Sequence, residues 1–194
     1  MRVTEAEGYS EPRDSISHDW LNILSAWGMS PLLVPNIGTD ADDFISVYAP
    51  QLLVLTGGED IGTSSLRDEN EVRLLNVAIE RRLPVFGVCR GLQFINTHFG
   101  GSLGRVENHV AMPHFVEVTS SWQKFYGAEV KVNSYHNTSI MPDGLAQPLT
   151  ATAHDLDGNI EAAVHKDLPI AAVMWHPERS GSAEGDIKLI RSIL

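Results

Sequence analysis

Leu83-Pro84-Val85-Phe86-Gly87-Val88-Cys89-Arg90-Gly91-Leu92-Gln93 is the stretch that decides how this chain is read. An apolar run of β type ends in Gly-x-Cys-x-Gly. Apolar positions at helical spacing follow through Leu92, Phe94, Ile95 and Phe99. A strand that enters a helix at a cysteine, with glycines two residues away on either side, is what a nucleophile elbow requires. The backbone of the nucleophile is strained there, and a side chain at either glycine would collide with the turn. The helix starts at the sulfur, so its dipole and free N–H groups are expected to favour thiolate over thiol. A lone cysteine is most often a buried structural residue. The paired glycines and the strand–helix junction reverse that preference at Cys89.

Upstream, Leu52–Leu55 reads as a strand running into Thr56-Gly57-Gly58-Glu59-Asp60, and residues 69–82 as a helix with Val72, Leu75 and Ile79 inward. Leu32–Pro35 reads as a short buried strand. Residues 15–27 read as a helix capped by Asp14 and ended by Gly28. Three β units, each followed by a helix or turn, predict an α/β fold with a parallel sheet covered on both faces. The second half is different. Val116–Thr119, Ala128–Val132, Leu149–Ala153, Ile160–Val164 and Ile170–Trp175 are strands with few helices between them, and Asp157-Gly158 suits a hairpin turn. Antiparallel strands added to a parallel core are the expectation, with a last helix over 185–194. Nothing apolar precedes the first helix, and Met1–Thr4 resembles the tail of a central strand. A truncated first strand, or a natural start upstream, is therefore expected.

The 194 residues fit one domain, 1–194, with a substantial core. A net charge of −11 argues against a nucleic-acid or anionic-membrane partner. One cysteine excludes an internal disulfide and suits a reducing cytoplasm. No run approaches the ~20 apolar residues that span a bilayer.

A cysteine nucleophile needs a base and a group to orient that base. His176 ends an apolar strand in Trp175-His176-Pro177-Glu178. Glu178, two residues on, points to the same side of an extended segment. The developing oxyanion needs N–H donors, and Arg90 and the Gly57-Gly58 turn are placed to supply them. Glu107, His109 and His114 match no compact zinc spacing and no second cysteine exists, so no metal is expected. His109 is read as lining the pocket or structuring its loop, and His18, His98, His154 and His165 as core-edge or surface residues.

Thr56-Gly57-Gly58, Gly87-Val88-Cys89-Arg90-Gly91-Leu92-Gln93 and Trp175-His176-Pro177-Glu178, in this order, resemble the class I glutamine amidotransferase family. The resemblance implies a three-layer flavodoxin-like fold and a Cys89-His176-Glu178 triad. It also implies oxyanion donors at Gly58 and Arg90, a glutamyl-thioester intermediate and no cofactor. It places Gly57, Gln93, Ser134, Tyr135 and His136 beside the glutamyl group. Cys89-Arg90-Gly91, Arg13-Asp14, Arg67-Asp68, Asn133–Asn137 and Asp157–Ala162 are similar to the subgroup of γ-glutamyl-γ-aminobutyrate hydrolases. That subgroup has a long insertion where this chain has only Gly62–Leu66. The short loop is similar to a relative in capsule biosynthesis, γ-glutamyl-CDP-amidate hydrolase, and Arg67, Arg13 or Arg90 would then meet the diphosphate. The expectation is a γ-glutamyl amide hydrolase acting on a small molecule. The alternatives are a glutaminase subunit feeding a synthetase partner, a γ-glutamyl-γ-aminobutyrate hydrolase and, least favoured, an inactive binding module. A homodimer is compatible with any of these enzymes.

Overall fold

The structure is a computed structural model that describes all residues except 37, 39, 108, 181 and 182. In chain order its elements are β1 (Arg2–Glu5), β2 (Pro12–Ser15), α1 (His18–Ala26), α2 (Ala41–Tyr48), β3 (Leu53–Leu55) and α3 (Ser65–Glu80). There follow β4 (Val85–Val88), α4 (Arg90–His98), β5 (Gly104–Arg105), β6 (His114–Val118), α5 (Gln123–Tyr126) and β7 (Glu129–Val132). The chain ends with β8 (Thr138–Ser139), β9 (Leu149–His154), β10 (Ile160–His165), β11 (Ile170–Val173) and α6 (Ala183–Ile193).

The main sheet has seven strands in the order β3-β4-β11-β10-β9-β6-β7. β3, β4 and β11 are parallel, and the rest join antiparallel. Every residue of β4 and of β11 is buried, as the unbroken apolar runs require of strands covered on both faces. The antiparallel half follows the expected strands to within two residues at each end, and Asp157-Gly158 lies in the β9–β10 turn.

The first forty residues depart from the sequence reading. Arg2–Glu5 is not the tail of a central strand. It pairs in register with Pro12–Ser15 in a separate hairpin, Arg2 opposite Ser15 and Glu5 opposite Pro12. Both strands are polar and at most half-buried, unlike a strand buried on both faces. Leu32–Pro35 forms no strand. Leu32 and Leu33 are exposed and border an apolar cavity of about 500 Å³ that Trp20, Leu24 and Phe44 also line, against β3. Ser17, not Asp14, caps α1 by accepting the Asp19 N–H, while Asp14 binds both nitrogens of Asn36 at 2.7 Å. The unanticipated α2 is capped by Asp40, which accepts from Asp42 and Asp43. α3 starts four residues earlier than expected and turns Arg67, Asn70 and Glu71 inward, whereas Val72 is exposed.

α6 packs on the sheet through a buried acid. Asp186 Oδ1 accepts from Tyr126 Oη at 2.7 Å and from Trp175 Nε1 at 3.0 Å. Burial pushes the Asp186 carboxyl up to about 7 from an ordinary 3.8. The folded state therefore holds this proton to higher pH than the unfolded chain, and its contribution to stability is lost as pH rises from about 4 through 7. Asp186→Asn keeps the accepting oxygen and removes the charge. It is expected to stabilise the protein at pH 8 by on the order of 2–4 kcal/mol, and to lose that advantage near pH 4, in paired denaturant titrations.

Candidate active site

Three neighbouring parallel strands deliver the predicted motifs to one edge of the sheet. Leu55 lies opposite Gly87, Val88 opposite Val173, and the Cys89 N–H donates to the Val173 carbonyl at 2.8 Å. Thr56-Gly57-Gly58, Cys89 and Trp175-His176 thus all leave the carboxyl ends of adjacent strands, where open α/β sheets bind their ligands. Cys89 has φ 52° and ψ −105°, a strained geometry for an L-residue. A Cβ on Gly91 would run into the Leu55 carbonyl, and one on Gly87 would lie 2.7 Å from Ile95 Cδ1 and 2.9 Å from the Gly91 carbonyl carbon. Both elbow glycines are sterically required.

The side chains of His176 and Glu178 are buried and joined, Nδ1 to Oε1, at 2.7 Å. With Nδ1–H donating to the carboxylate, the lone pair is on Nε2, which is buried without a hydrogen-bond partner. Asn133 grips the histidine backbone from both sides. Its Oδ1 accepts the His176 N–H at 2.8 Å, and its Nδ2 donates to the His176 carbonyl at 2.9 Å and the Ser180 carbonyl at 2.7 Å. Gly57 packs so closely under the imidazole that a Cβ there would sit 2.7 Å from Cε1. The structure therefore joins Gly57, His176 and Glu178 directly and sets Cys89 at the end of β4, the strand between β3 and β11.

The expected ready-made thiolate is corrected. Burial pushes the Cys89 thiol up to about 12, although the Arg90 N–H opposes this; Glu161 and Glu178 add to the rise and Arg179 works against it. The helix terminus does favour the anion, but desolvation of an almost fully buried sulfur outweighs it. Alkylation of Cys89 by a small haloacetamide is accordingly expected to be slow at pH 7 and to climb throughout the alkaline range. A plateau reached by pH 7 would indicate an ion pair in the free protein.

The arginine roles are also corrected. Arg67 is fully buried. It donates to Glu71 at 2.8 Å, Glu59 at 3.0 Å, the Thr56 carbonyl at 2.9 Å and the Gly57 carbonyl at 3.2 Å. Arg90 turns its guanidinium away from the elbow onto Glu71 and Asp68. Arg13 is exposed and occupied by Glu11 and Tyr9. Arg67 and Arg90 thus brace the Gly57-Gly58 turn and the start of α4 against α3, where carboxylates and carbonyls hold them.

Of the predicted substrate contacts, Tyr135 is half exposed, with its ring edge-on to His176 at 5.7 Å. The Gln93 amide donates to the Thr138 carbonyl at 2.7 Å. Ser134 is buried and donates to the His109 carbonyl at 2.5 Å. His136 is buried, and its Nδ1 faces the Thr138 carbonyl at 3.1 Å; burial and neighbouring histidines lower it to about 3, so it is neutral. Two functional features escaped the sequence reading. Asn133 lay inside a noted motif without a role. Arg179, directly after Glu178, stacks 4.0 Å over the Tyr135 ring, exposed beside the site.

Among comparisons with known proteins, a glutamine amidotransferase-like protein of Lactococcus lactis is 34% identical over 196 residues, covering 85% of this chain and 81% of that one. The γ-glutamyl-CDP-amidate hydrolase of Campylobacter jejuni is 28% identical over 185 residues, covering 92% and 88%. The crystal structure of a GMP synthase subunit from Thermoplasma acidophilum superposes with a TM-score of 0.75 at 26% identity, covering 91% and 86%. A Thermotoga maritima glutamine amidotransferase shares the fold, with a TM-score of 0.62 at 17% identity over 89% of this chain and 74% of that one. The architecture is therefore the flavodoxin-like one of class I glutamine amidotransferases, as its motifs led us to expect. A family model matches from Arg2 in β1 through Glu178, the last of the predicted triad residues, and by that match the chain belongs to the Peptidase C26 family.

Proposed function

We propose that this protein hydrolyses γ-glutamyl amides with Cys89 as nucleophile, His176 as general base and acid, and Glu178 as the group that orients the imidazole. The observation that carries this reading is the buried His176–Glu178 pair at 2.7 Å, its Nε2 without a partner, on the segment that leaves β11 next to the β4 elbow that holds Cys89 in strained geometry. Family membership and the amidotransferase and hydrolase names of the relatives support an enzyme that cleaves amides.

In the proposed reaction, substrate enters and Sγ attacks the γ-carbonyl carbon as its proton passes to His176 Nε2. Because the thiol is neutral in the free protein, proton transfer accompanies attack. The oxyanion is held by the Arg90 N–H, which already points at Cys89, and by the Gly58 N–H. Collapse breaks the C–N bond, and His176 returns its proton to the departing amine. Water then attacks the thioester carbonyl, giving a proton to His176. Release of glutamate restores the thiol.

The finer reading is an anionic, nucleotide-linked leaving group. It is supported by the 28% identity to γ-glutamyl-CDP-amidate hydrolase, and by Arg179, the exposed guanidinium beside the site. Arg67, Arg13 and Arg90 are withdrawn from that role. A glutaminase that works with a separate synthetase is the second reading, favoured by the likeness to the GMP synthase subunit. The test is glutamate release from γ-glutamyl anilide, glutamine, γ-glutamyl-γ-aminobutyrate and a γ-glutamyl nucleotide amidate. Turnover of an amide by the isolated chain supports the hydrolase, with Arg179→Ala raising KM most for the nucleotide amidate and not at all for the uncharged anilide and glutamine. Glutamine hydrolysis that appears only with a synthetase supports the second reading, and no glutamate from any member under reducing conditions, with or without a synthetase, would overturn both.

A further inference from the structure

Behind the elbow, four side chains from separate parts of the chain converge without satisfying one another. Glu161 on β10 is fully buried, yet neither of its oxygens has a hydrogen-bond partner. His114 Nε2, from the first residue of β6, stands 3.5 Å from Glu161 Oε2. His136 Nε2, from the loop before β8, stands 3.6 Å from Glu161 Oε1. His109 joins them, its ring centroid 4.9 Å from that of His114 and 5.1 Å from that of His136. One donor atom each from His109, His114 and Glu161 lies within 4.8 Å of the others.

A buried carboxylate with both oxygens unpaired is costly, and polar groups in such surroundings are normally satisfied. The gaps of 3.5 and 3.6 Å are too long for good hydrogen bonds. They are close to the ~3.3 Å that separates two ligands bound to one tetrahedral zinc at about 2.0 Å each. The rings are also oriented from outside. His109 Nδ1 meets the Glu107 carbonyl at 2.7 Å and His136 Nδ1 the Thr138 carbonyl at 3.1 Å. Carbonyls that take the Nδ1 proton leave Nε2 as the metal-binding nitrogen, the arrangement seen around ligating histidines. His109 Nε2 faces Asp155 Oδ2 at 3.1 Å, so two acceptors would oppose each other there unless a proton or a cation lies between them.

We propose that His109, His114 and Glu161 bind a divalent transition-metal ion of the zinc type, with His136 Nε2 as the fourth donor. Three imidazoles and one carboxylate without a thiolate make a zinc-competent donor set. Sequence spacing concealed it, because Glu161 stands in for the Glu107 that adjoins His109 and comes from a strand some fifty residues away. The ion would tie β6, β10 and the loops carrying His109 and His136 into one unit directly behind Cys89. It is a structural site, independent of the proposed hydrolysis.

The experiment uses the full chain carrying Cys89→Ala, so that the elbow thiol takes no metal. Chelator-stripped protein is titrated with Zn²⁺ and, separately, Co²⁺. One zinc per chain, intense visible cobalt bands of a tetrahedral site and an unfolding temperature that rises with zinc are the expected results. Glu161→Gln and His114→Gln are expected to weaken zinc binding by ~100-fold or more, whereas His18→Gln, on the exposed face of α1, leaves it unchanged. Should Glu161→Gln fail to fold, His136→Asn carries the same comparison. Equal zinc affinity in the cluster variants and the parent, or binding that disappears with His18 instead, would overturn the site.

Discussion

Cys89→Ala is expected to reduce glutamate release at least ~10⁴-fold while leaving the unfolding temperature within a few degrees of the parent. The size of the effect follows from the proposed mechanism, because the acyl-enzyme route has no substitute for the sulfur. Cys89 sits in a sealed elbow, so a smaller side chain removes the reacting atom without opening the site to solvent. Oxyanion donors and the imidazole remain, and would leave a residual rate above the uncatalysed one. Glu178→Gln is expected to cost less than Cys89→Ala, since an amide can still hold the ring in place. Steady-state kinetics on the same γ-glutamyl amide measures both. Equal losses would mean that Glu178 also stabilises the imidazolium charge strongly, and an active Cys89→Ala protein would overturn the nucleophile assignment.

The largest expected effect on stability is at Glu71. Its carboxylate lies between two buried guanidiniums, receiving Arg67 Nε at 2.8 Å and Arg90 Nη1 on its other oxygen. Removing the acid leaves both cations partly uncompensated in a desolvated space, and Glu71→Ala is expected to cost about 3–5 kcal/mol in a urea titration. The damage should reach the site as well, because Arg67 holds the carbonyls of Thr56 and Gly57. The double variant Glu71→Leu/Arg90→Met removes charge and countercharge together and fills similar volume. It is expected to be more stable than Glu71→Ala alone. A double variant no better than the single one would show that geometry, not charge balance, is the role of this network.

Much of the fold, and the motifs that the structure carries to one edge of the sheet, were legible in the sequence. Elbow, glycine turn and His-Pro-Glu are each local patterns in which backbone requirements select the residue type, so reading them needs no knowledge of the remaining chain. Strands in the second half were legible for a similar reason, since apolar and small residues there alternate within short runs. What failed depended on distant partners. Nothing in Arg67 or Arg90 announces that α3 will present Glu71 to both, and a guanidinium is as suited to a buried acid as to a phosphate. The dipole at the start of α4 is a local property, whereas the burial that overrides it for Cys89 comes from the packing around the elbow. Leu32–Pro35 has the composition of a strand but joins no sheet, its Pro35 carbonyl accepting from Asn70 instead, and His109, His114 and Glu161 meet only after β6 and β10 enter one sheet.

The parallel pairing of β4 with β11 also has a consequence for how the enzyme comes into being. Val88 pairs with Val173, so the partner that completes the elbow's surroundings is β11, made after all the other described strands. Until then Cys89 carries an ordinary, solvated thiol on an unfinished sheet, with neither His176 in place nor its burial. Contacts of such long sequence separation form late, after the loop between them has been closed. The elbow's surroundings are thereby complete only once β11 has been made, and a chain interrupted before β11 carries the elbow's letters without its burial.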